Sequence, residues 1–135
     1  MTAQRLLLDT NVLLASLLAP ERLPKATQKS LTEPRNTVLF SAASIWEIAI
    51  KRGLHRADFD FQPEHVVQLA RETGFTELPL EGVHTYALAS LPWHHKDPFD
   101  RILIAQAITL PARLLTTDTA LTPYSSLVDC IPWES

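Results

Sequence analysis

Residues 4–9, "QRLLLD", form a continuous apolar run of strand length that ends on an aspartate. A run without polar alternation predicts a strand buried on both faces. The spacing then becomes helical in "NVLLASLLA", which stops at Pro20, and again in "KATQKSLTE", which Pro34 closes. "TVLFS" predicts a second buried strand. Ser41 or Ser44 can cap the next helix, "AASIWEIAIKRG", and Gly53 ends it. "PEHVVQLARETG" predicts a helix with Pro63 in its first turn and Gly74 at its end, and "FTELPL" a short strand or extended link. "EGVHTYALASL" is helical up to Pro92, and "DPFDRILIAQAITL" is helical with Pro98 in its first turn. "ARLLTTD" predicts a strand that ends at an aspartate, and "SLVDCI" a last short strand. Strands alternate with helices throughout, so the fold class is α/β around a mostly parallel sheet.

Composition narrows the function. The chain has 135 residues, 46% of them apolar and 20% charged, which suits one domain with one core. No apolar run approaches the length a membrane helix needs, so no membrane association is expected. The N-terminal apolar run is broken by Asp9 and Asn11 and preceded only by Arg5, so it does not read as a signal peptide, and a cytoplasmic location is expected. Cys130 is the single cysteine, which leaves no internal disulfide and no cysteine-based zinc site; in "LVDCI" it reads as a small core residue. The net charge of -3 argues against nonspecific coating of nucleic acid. An enzyme that cuts nucleic acid stays open, because an acidic site lowers net charge by itself. Basic residues gather in "KRGLHR", with Lys51, Arg52 and Arg56, either as a solvated helix face or as phosphate contacts.

The acids are what the bland reading explains least well. In open parallel sheets, ligands bind beyond the carboxyl ends of the strands. Asp9 and Asp118 each follow a predicted strand, in "LLLDTN" and "LLTTDT". Glu47 interrupts the apolar "SIWEIAI", and Asp97 and Asp100 open "DPFDRILIAQA" at a spacing that shares one helical turn. Each alone can be a helix cap or a partner of the helix dipole. Gathered at one sheet edge they repel one another, and the natural counter-ion for an all-oxygen set is a hard divalent cation such as Mg²⁺. Such an ion activates water and offsets charge on a phosphodiester, which is nuclease chemistry.

Four segments carry a resemblance: "LLLDTNVLL", "SAASIWEIAIKRG", "HHKDPFDRILIAQA" and "LLTTDTAL". In this order, spanning nearly the whole chain, they resemble the PIN-domain family, specifically the VapC-type toxins of bacterial toxin–antitoxin pairs. The resemblance implies a three-layer α/β/α fold around four to five strands, with residues 1–135 forming a single nuclease domain. It implies a ribonuclease dependent on Mg²⁺ or Mn²⁺, whose acids fall on Asp9, Glu47, Asp100 and Asp118. Asp97 is an accessory acid or a cap, though it could exchange roles with Asp100. Asn11 and Thr10 match the polar turn after the first strand, and Thr10, Ser41, Ser44 and Thr116 are candidates to fix the carboxylates by hydrogen bonds. The resemblance further implies an RNA substrate (tRNA, rRNA or mRNA), a homodimer, and a VapB-type antitoxin that inserts a segment into the acidic site. An arginine suits that insertion, since guanidinium pairs bidentately with carboxylates.

In the mechanism this predicts, Asp9, Asp100 and Asp118 hold the metal, and Glu47 ligates a second ion or orients the attacking water. Lys51, Arg52, Arg56 and Lys96 are candidate RNA contacts. Arg101 is expected to pair with a carboxylate or with RNA. His94 and His95 could hold phosphates with Lys96 but read rather as surface loop residues, and an all-oxygen site does not call for them as metal ligands. Trp93 and Trp133 could stack on bases but read rather as core or dimer contacts. Two rivals remain. One is a noncatalytic PIN-like module that binds protein or RNA, which the full set of acids disfavours. The other is an aspartyl phosphotransferase, which typically carries a second aspartate where this chain has Asn11.

Overall fold

The computed structural model describes residues 3–53 and 61–134. Its central strand is β1 (Arg5–Leu8), paired in parallel with β2 (Thr37–Ser41) on one side and β4 (Arg113–Thr116) on the other. β3 (Thr76–Leu78) extends the sheet beyond β2, and β5 (Val128–Cys130) extends it beyond β4, again in parallel. The order is therefore β3-β2-β1-β4-β5. The unbroken apolar runs have a direct cause, because both faces of the inner strands are covered. Leu6 and Leu8 enter one core with Val12, Phe40 and Ile48, while Leu7 enters the other with Leu103, Ile104 and Leu114.

Three layers result. On one face lie α1 (Thr10–Leu18), α2 (Lys25–Thr32) and α4 (Pro63–Thr73), which contribute Leu13, Leu31 and Val66 to the first core. On the other face α6 (Pro98–Thr109) packs through Leu103 and Ile104, with α5 (Gly82–Ala89) laid against it. α3 (Ala42–Gly53) bridges the two sides, sending Ile48 into the first core and Ala43 against Ile102 of α6. Among the described residues are also two 3-10 turns, Pro20–Arg22 and Thr119–Tyr124, which were not evident in the apolar pattern. Cys130 departs from expectation: it lies half-buried on the edge strand β5 rather than in the core. Among the described residues, no helix is long and apolar enough to cross a membrane.

The strand order fixes where a ligand can bind. The chain leaves β1 toward β2 and leaves β4 toward β5, so the connections diverge between β1 and β4. At such a switch point the carboxyl ends of two adjacent strands open a crevice. Asp9 follows β1 directly, and Asp118 follows β4.

Candidate active site

The floor of the crevice is built from residues that cap helices. Asp9 stands between β1 and α1 in an extended conformation, so its backbone can still donate to Leu115 O of β4 at 3.0 Å. Its Oδ1 accepts the Val12 amide at 2.7 Å as the N-cap of α1, and its Oδ2 accepts the Thr116 hydroxyl at 2.6 Å. The side chain is still costly to ionise there. Burial, at 5% exposure, pushes its pKa up from 3.8 to about 6, with the charges of Glu47 and Asp118 adding to the shift and the two hydrogen bonds opposing it.

Glu47 completes the floor from α3. Its Oε1 accepts the Thr10 hydroxyl at 2.6 Å, and its Oε2 lies 3.0 Å from Lys51 Nζ, one helical turn on. The Thr10 oxygen also lies 3.0 Å from Ser44 Oγ, so α1 and α3 are joined through buried hydroxyls beneath the carboxylate. Thr10 and Thr116 therefore each grip an acid directly, and Ser44 acts through Thr10. Among the described residues, Ser41 meets no carboxylate. Its Oγ accepts the Ala43 amide at 3.0 Å and starts α3. Asn11 lies exposed in the first turn of α1.

The rim comes from the loop before α6 and from the turn after β4. Asp97 is the N-cap of α6, accepting the amides of Phe99 at 2.8 Å and Asp100 at 3.3 Å. Asp100, in the first turn of that helix, has its pKa raised from 3.8 to about 6, chiefly by burial and by the charge of Asp97, with a smaller contribution from Asp9. Asp118 caps the 3-10 turn by accepting the Ala120 amide at 2.9 Å, and its own amide donates to Thr116 Oγ1 at 3.1 Å. Thr116 thus ties the turn of Asp118 to the carboxylate of Asp9.

The sequence placed His95 on the surface, but it belongs to this rim. Its Nε2 lies 3.0 Å from Asp100 Oδ2 and 3.8 Å from Asp118 Oδ2. Its amide donates to the Tyr124 hydroxyl at 2.8 Å. His95, Asp97 and Asp100 each offer a ligand atom, all within 4.8 Å of one another. Nothing in the spacing marked it, because its place follows from how the turn capped by Asp97 folds back over the start of α6.

The basic residues divide. Lys96 is exposed beside the rim, and Arg52 lies half-exposed at the end of α3. Lys51 is engaged by Glu47. Arg56 lies outside the described residues. Arg101 corrects the expectation that it meets RNA or a carboxylate. It is only 4% exposed, and its guanidinium donates to the carbonyl of Pro92 at 2.7 Å and to Tyr124 Oη at 3.0 Å. A buried cation must satisfy its donors locally, and the turn after α5 supplies the acceptors.

Taken together, the acids from β1, α3, α6 and β4 converge, and two of them resist ionisation. Burial and mutual repulsion are both relieved by a cation, and hard oxygen donors with one imidazole at the edge suit Mg²⁺ or Mn²⁺. The donor set therefore fits a divalent metal.

Comparison with known proteins agrees with this architecture. The family model described as "PIN domain" matches residues 6–125. A chain in the crystal structure of VapBC2 from Rickettsia felis, bound to a DNA fragment from their promoter, superposes with a TM-score of 0.69. That match covers 97% of this chain and 100% of the other at 14% sequence identity, so it speaks for the fold. No curated protein matches the sequence.

Proposed function

The chain belongs to the PIN-domain family, and on that premise we propose that it is a metal-dependent endoribonuclease, the VapC-type toxin of a type II toxin–antitoxin pair. The observation that carries the reading is the gathering of acids from β1, α3, α6 and the turn after β4 at the sheet switch point, with His95 Nε2 3.0 Å from Asp100 Oδ2 and 3.8 Å from Asp118 Oδ2 and with burial raising Asp9 and Asp100. A cap needs one carboxylate at one helix start, whereas several carboxylates turned to one crevice are what a cation site needs. Residues 1–135 act as one nuclease domain.

Asp9, Asp100 and Asp118 would hold the metal, with Asp97 as accessory acid, and Glu47 would orient the attacking water or serve a second ion. When bound, Mg²⁺ or Mn²⁺ supplies the acidity that activates water and offsets charge on the phosphodiester. Thr116 and Thr10 keep the carboxylates aimed into the cleft with neutral donors, so the site's negative charge stays available. Glu47 already shares its charge with Lys51, which can turn to a phosphate once the acids are neutralised. Arg52 and Lys96 extend the phosphate contacts, with Arg56 further along the same segment.

Cleavage of tRNA, rRNA or mRNA by a cytoplasmic enzyme would stop translation and growth. A VapB-type antitoxin would neutralise it by filling the acidic cleft, where an inserted arginine finds several carboxylates. The likeness to a chain of the VapBC2 structure supports that partner. A homodimer accompanies this reading. Trp46, 56% exposed and packed edge-on against Phe99 at 5.1 Å, is apolar surface of the kind a second copy covers.

The test is cleavage of total cellular RNA by purified protein with Mg²⁺, Mn²⁺ or EDTA, beside Asp9→Asn. Discrete products that require both metal and Asp9 support the enzyme. Folded, metal-loaded protein that cuts no RNA from several sources would leave the binding module as the better reading.

A further inference from the structure

Across the α6 N-terminus from the acids lies a feature that the hydrolytic chemistry does not use. Trp93, in the connection between α5 and α6, is 79% exposed. An indole this open to water presents a large aromatic face with a polar edge to any partner. It is nonetheless held in place. The Arg101 guanidinium sits 4.0 Å from the ring centroid, and Arg101 is itself anchored on the carbonyl of Pro92 and the hydroxyl of Tyr124. A buried planar cation against one side of the ring fixes its orientation and leaves the rest of the indole to solvent.

Trp93, Lys96, Pro98, Arg101 and Leu88 border a cavity of about 320 Å³ between α5 and the start of α6. That is within the range of sites for small ligands, roughly 300–1,000 Å³. Its chemistry is an aromatic wall, an aliphatic floor and an exposed ammonium at the lip. Lys96 directly precedes Asp97, so the cavity adjoins the acidic rim. The cationic lip matters in choosing the occupant. Beside a cleft crowded with carboxylates, a lysine next to an open aromatic ring matches a polyanion whose bases carry π faces. Stacking of this kind requires a base that has left its helix.

We propose that Trp93 and Lys96 form a nucleotide subsite in which Trp93 stacks on an unpaired RNA base flanking the scissile linkage and Lys96 contacts the adjoining phosphate. The proposal rests on the ribonuclease reading above and sharpens it: the substrate is cut where its strand is unpaired. Specificity for strand state then comes from the aromatic ring, and the acids supply the chemistry.

The test is a titration of fluorescently labelled, mixed-sequence RNA, single-stranded and about eight nucleotides long, with the full chain in EDTA so that the probe stays intact. Trp93→Ala should weaken binding about tenfold or more, with an unchanged dependence on salt, while Trp93→Phe keeps affinity within about threefold. Lys96→Ala should lower the slope of log affinity against log salt by about one. A fully paired probe should bind equally to wild type and Trp93→Ala. If wild type binds and Trp93→Ala binds as tightly, the subsite is wrong and the ribonuclease reading is untouched. If wild type fails to bind at any salt concentration, the subsite and the RNA reading both fall. If Trp93→Ala leaves binding intact but turns a dimer into a monomer in sedimentation, the cavity belongs to a second copy of the chain, and the proposal is overturned.

Discussion

On the floor of the cleft, Asp9 and Glu47 are nearly sealed from solvent, and each accepts a short hydrogen bond from a threonine carried by a neighbouring element. At the rim, Asp100 and Asp118 are partly open and share one imidazole, His95, from a loop. Both regions gather like charges, but they restrain them differently. A hydroxyl orients a carboxylate without cancelling its charge. The rim instead depends on His95, whose backbone is tethered to Tyr124 and through it to the buried Arg101. The floor is therefore fixed by strands and helices that the core holds in place, while the rim adds to α6 a loop imidazole held by polar contacts and a turn tied to Thr116. The difference suggests that the floor sets where a cation sits and the rim sets how the site closes around it.

The largest effect tests the floor. Asp9→Asn should reduce RNA cleavage by at least about a hundredfold, since it removes charge from the most enclosed carboxylate. Stability should move the other way. Asn is as good an N-cap as Asp, so α1 keeps its start. Unfolded, Asp9 ionises near 3.8, but folded it keeps its proton up to about 6. Between those values the native state binds more protons, so stability falls as pH rises and then levels off above about 6. The buried charge costs roughly 3 kcal/mol at neutral pH. In EDTA at about pH 7.5, Asp9→Asn should melt at or above wild type, and at about pH 4.5 the order should close or reverse. A clear fall in melting temperature at the higher pH would make Asp9 a structural cap and nothing more.

Next in size is the response to metal. Mg²⁺ or Mn²⁺ should raise the melting temperature of wild type, and more at about pH 7.5 than at about pH 5, because protons compete for Asp9 and Asp100 below about 6. Scanning calorimetry with and without EDTA reads this directly. Equal stabilisation at both pH values would mean that the cation binds elsewhere.

These acids also show what was legible in the residues alone. The inner strands were readable because burial on both faces removes the polar alternation, and "DPFD" announced its helix through Pro98 and a capping aspartate. Asp9 and Asp118 were readable as a pair because parallel topology carries strand ends to one edge. His95 was not readable. Its place depends on how the capping turn at Asp97 folds back, and no periodicity records that. Arg101 was misplaced for a related reason. A cation beside an acid in sequence points about a quarter-turn away from it on a helix, and here that direction leads into the turn after α5. Asp97 and Asp100 had seemed to be either caps or site acids. The structure makes Asp97 a cap while keeping it at the rim, because the amides at a helix start and a cation both call for a carboxylate.

A finer comparison sets one buried hydroxyl against the rim imidazole. Thr116→Val removes the 2.6 Å bond to Asp9 and frees the Asp118 amide. It should weaken Mn²⁺ binding by about 10- to 100-fold, the range for residues that orient metal ligands. His95→Ala should weaken it less, by no more than about tenfold, if the floor is what places the ion. Isothermal titration with Mn²⁺ decides between them. The opposite ranking would transfer that role to the rim.

The smallest effect concerns the basic residues at the end of α3. Lys51 Nζ lies 3.0 Å from Glu47, so part of its charge is already committed when no cation is present. Glu47 is buried and Lys51 half-buried, so stability would mix two effects, and the substitution is read in binding. In EDTA, Lys51→Ala should lower the salt slope of RNA binding by clearly less than one unit, whereas Lys51→Ala with Arg52→Ala should lower it by one or more. With Mg²⁺ or Mn²⁺ bound, the single substitution should approach a full unit, because a neutralised Glu47 no longer competes for the ammonium. A slope that ignores both substitutions under both conditions would return these residues to a solvated helix face and confine phosphate recognition to the rim.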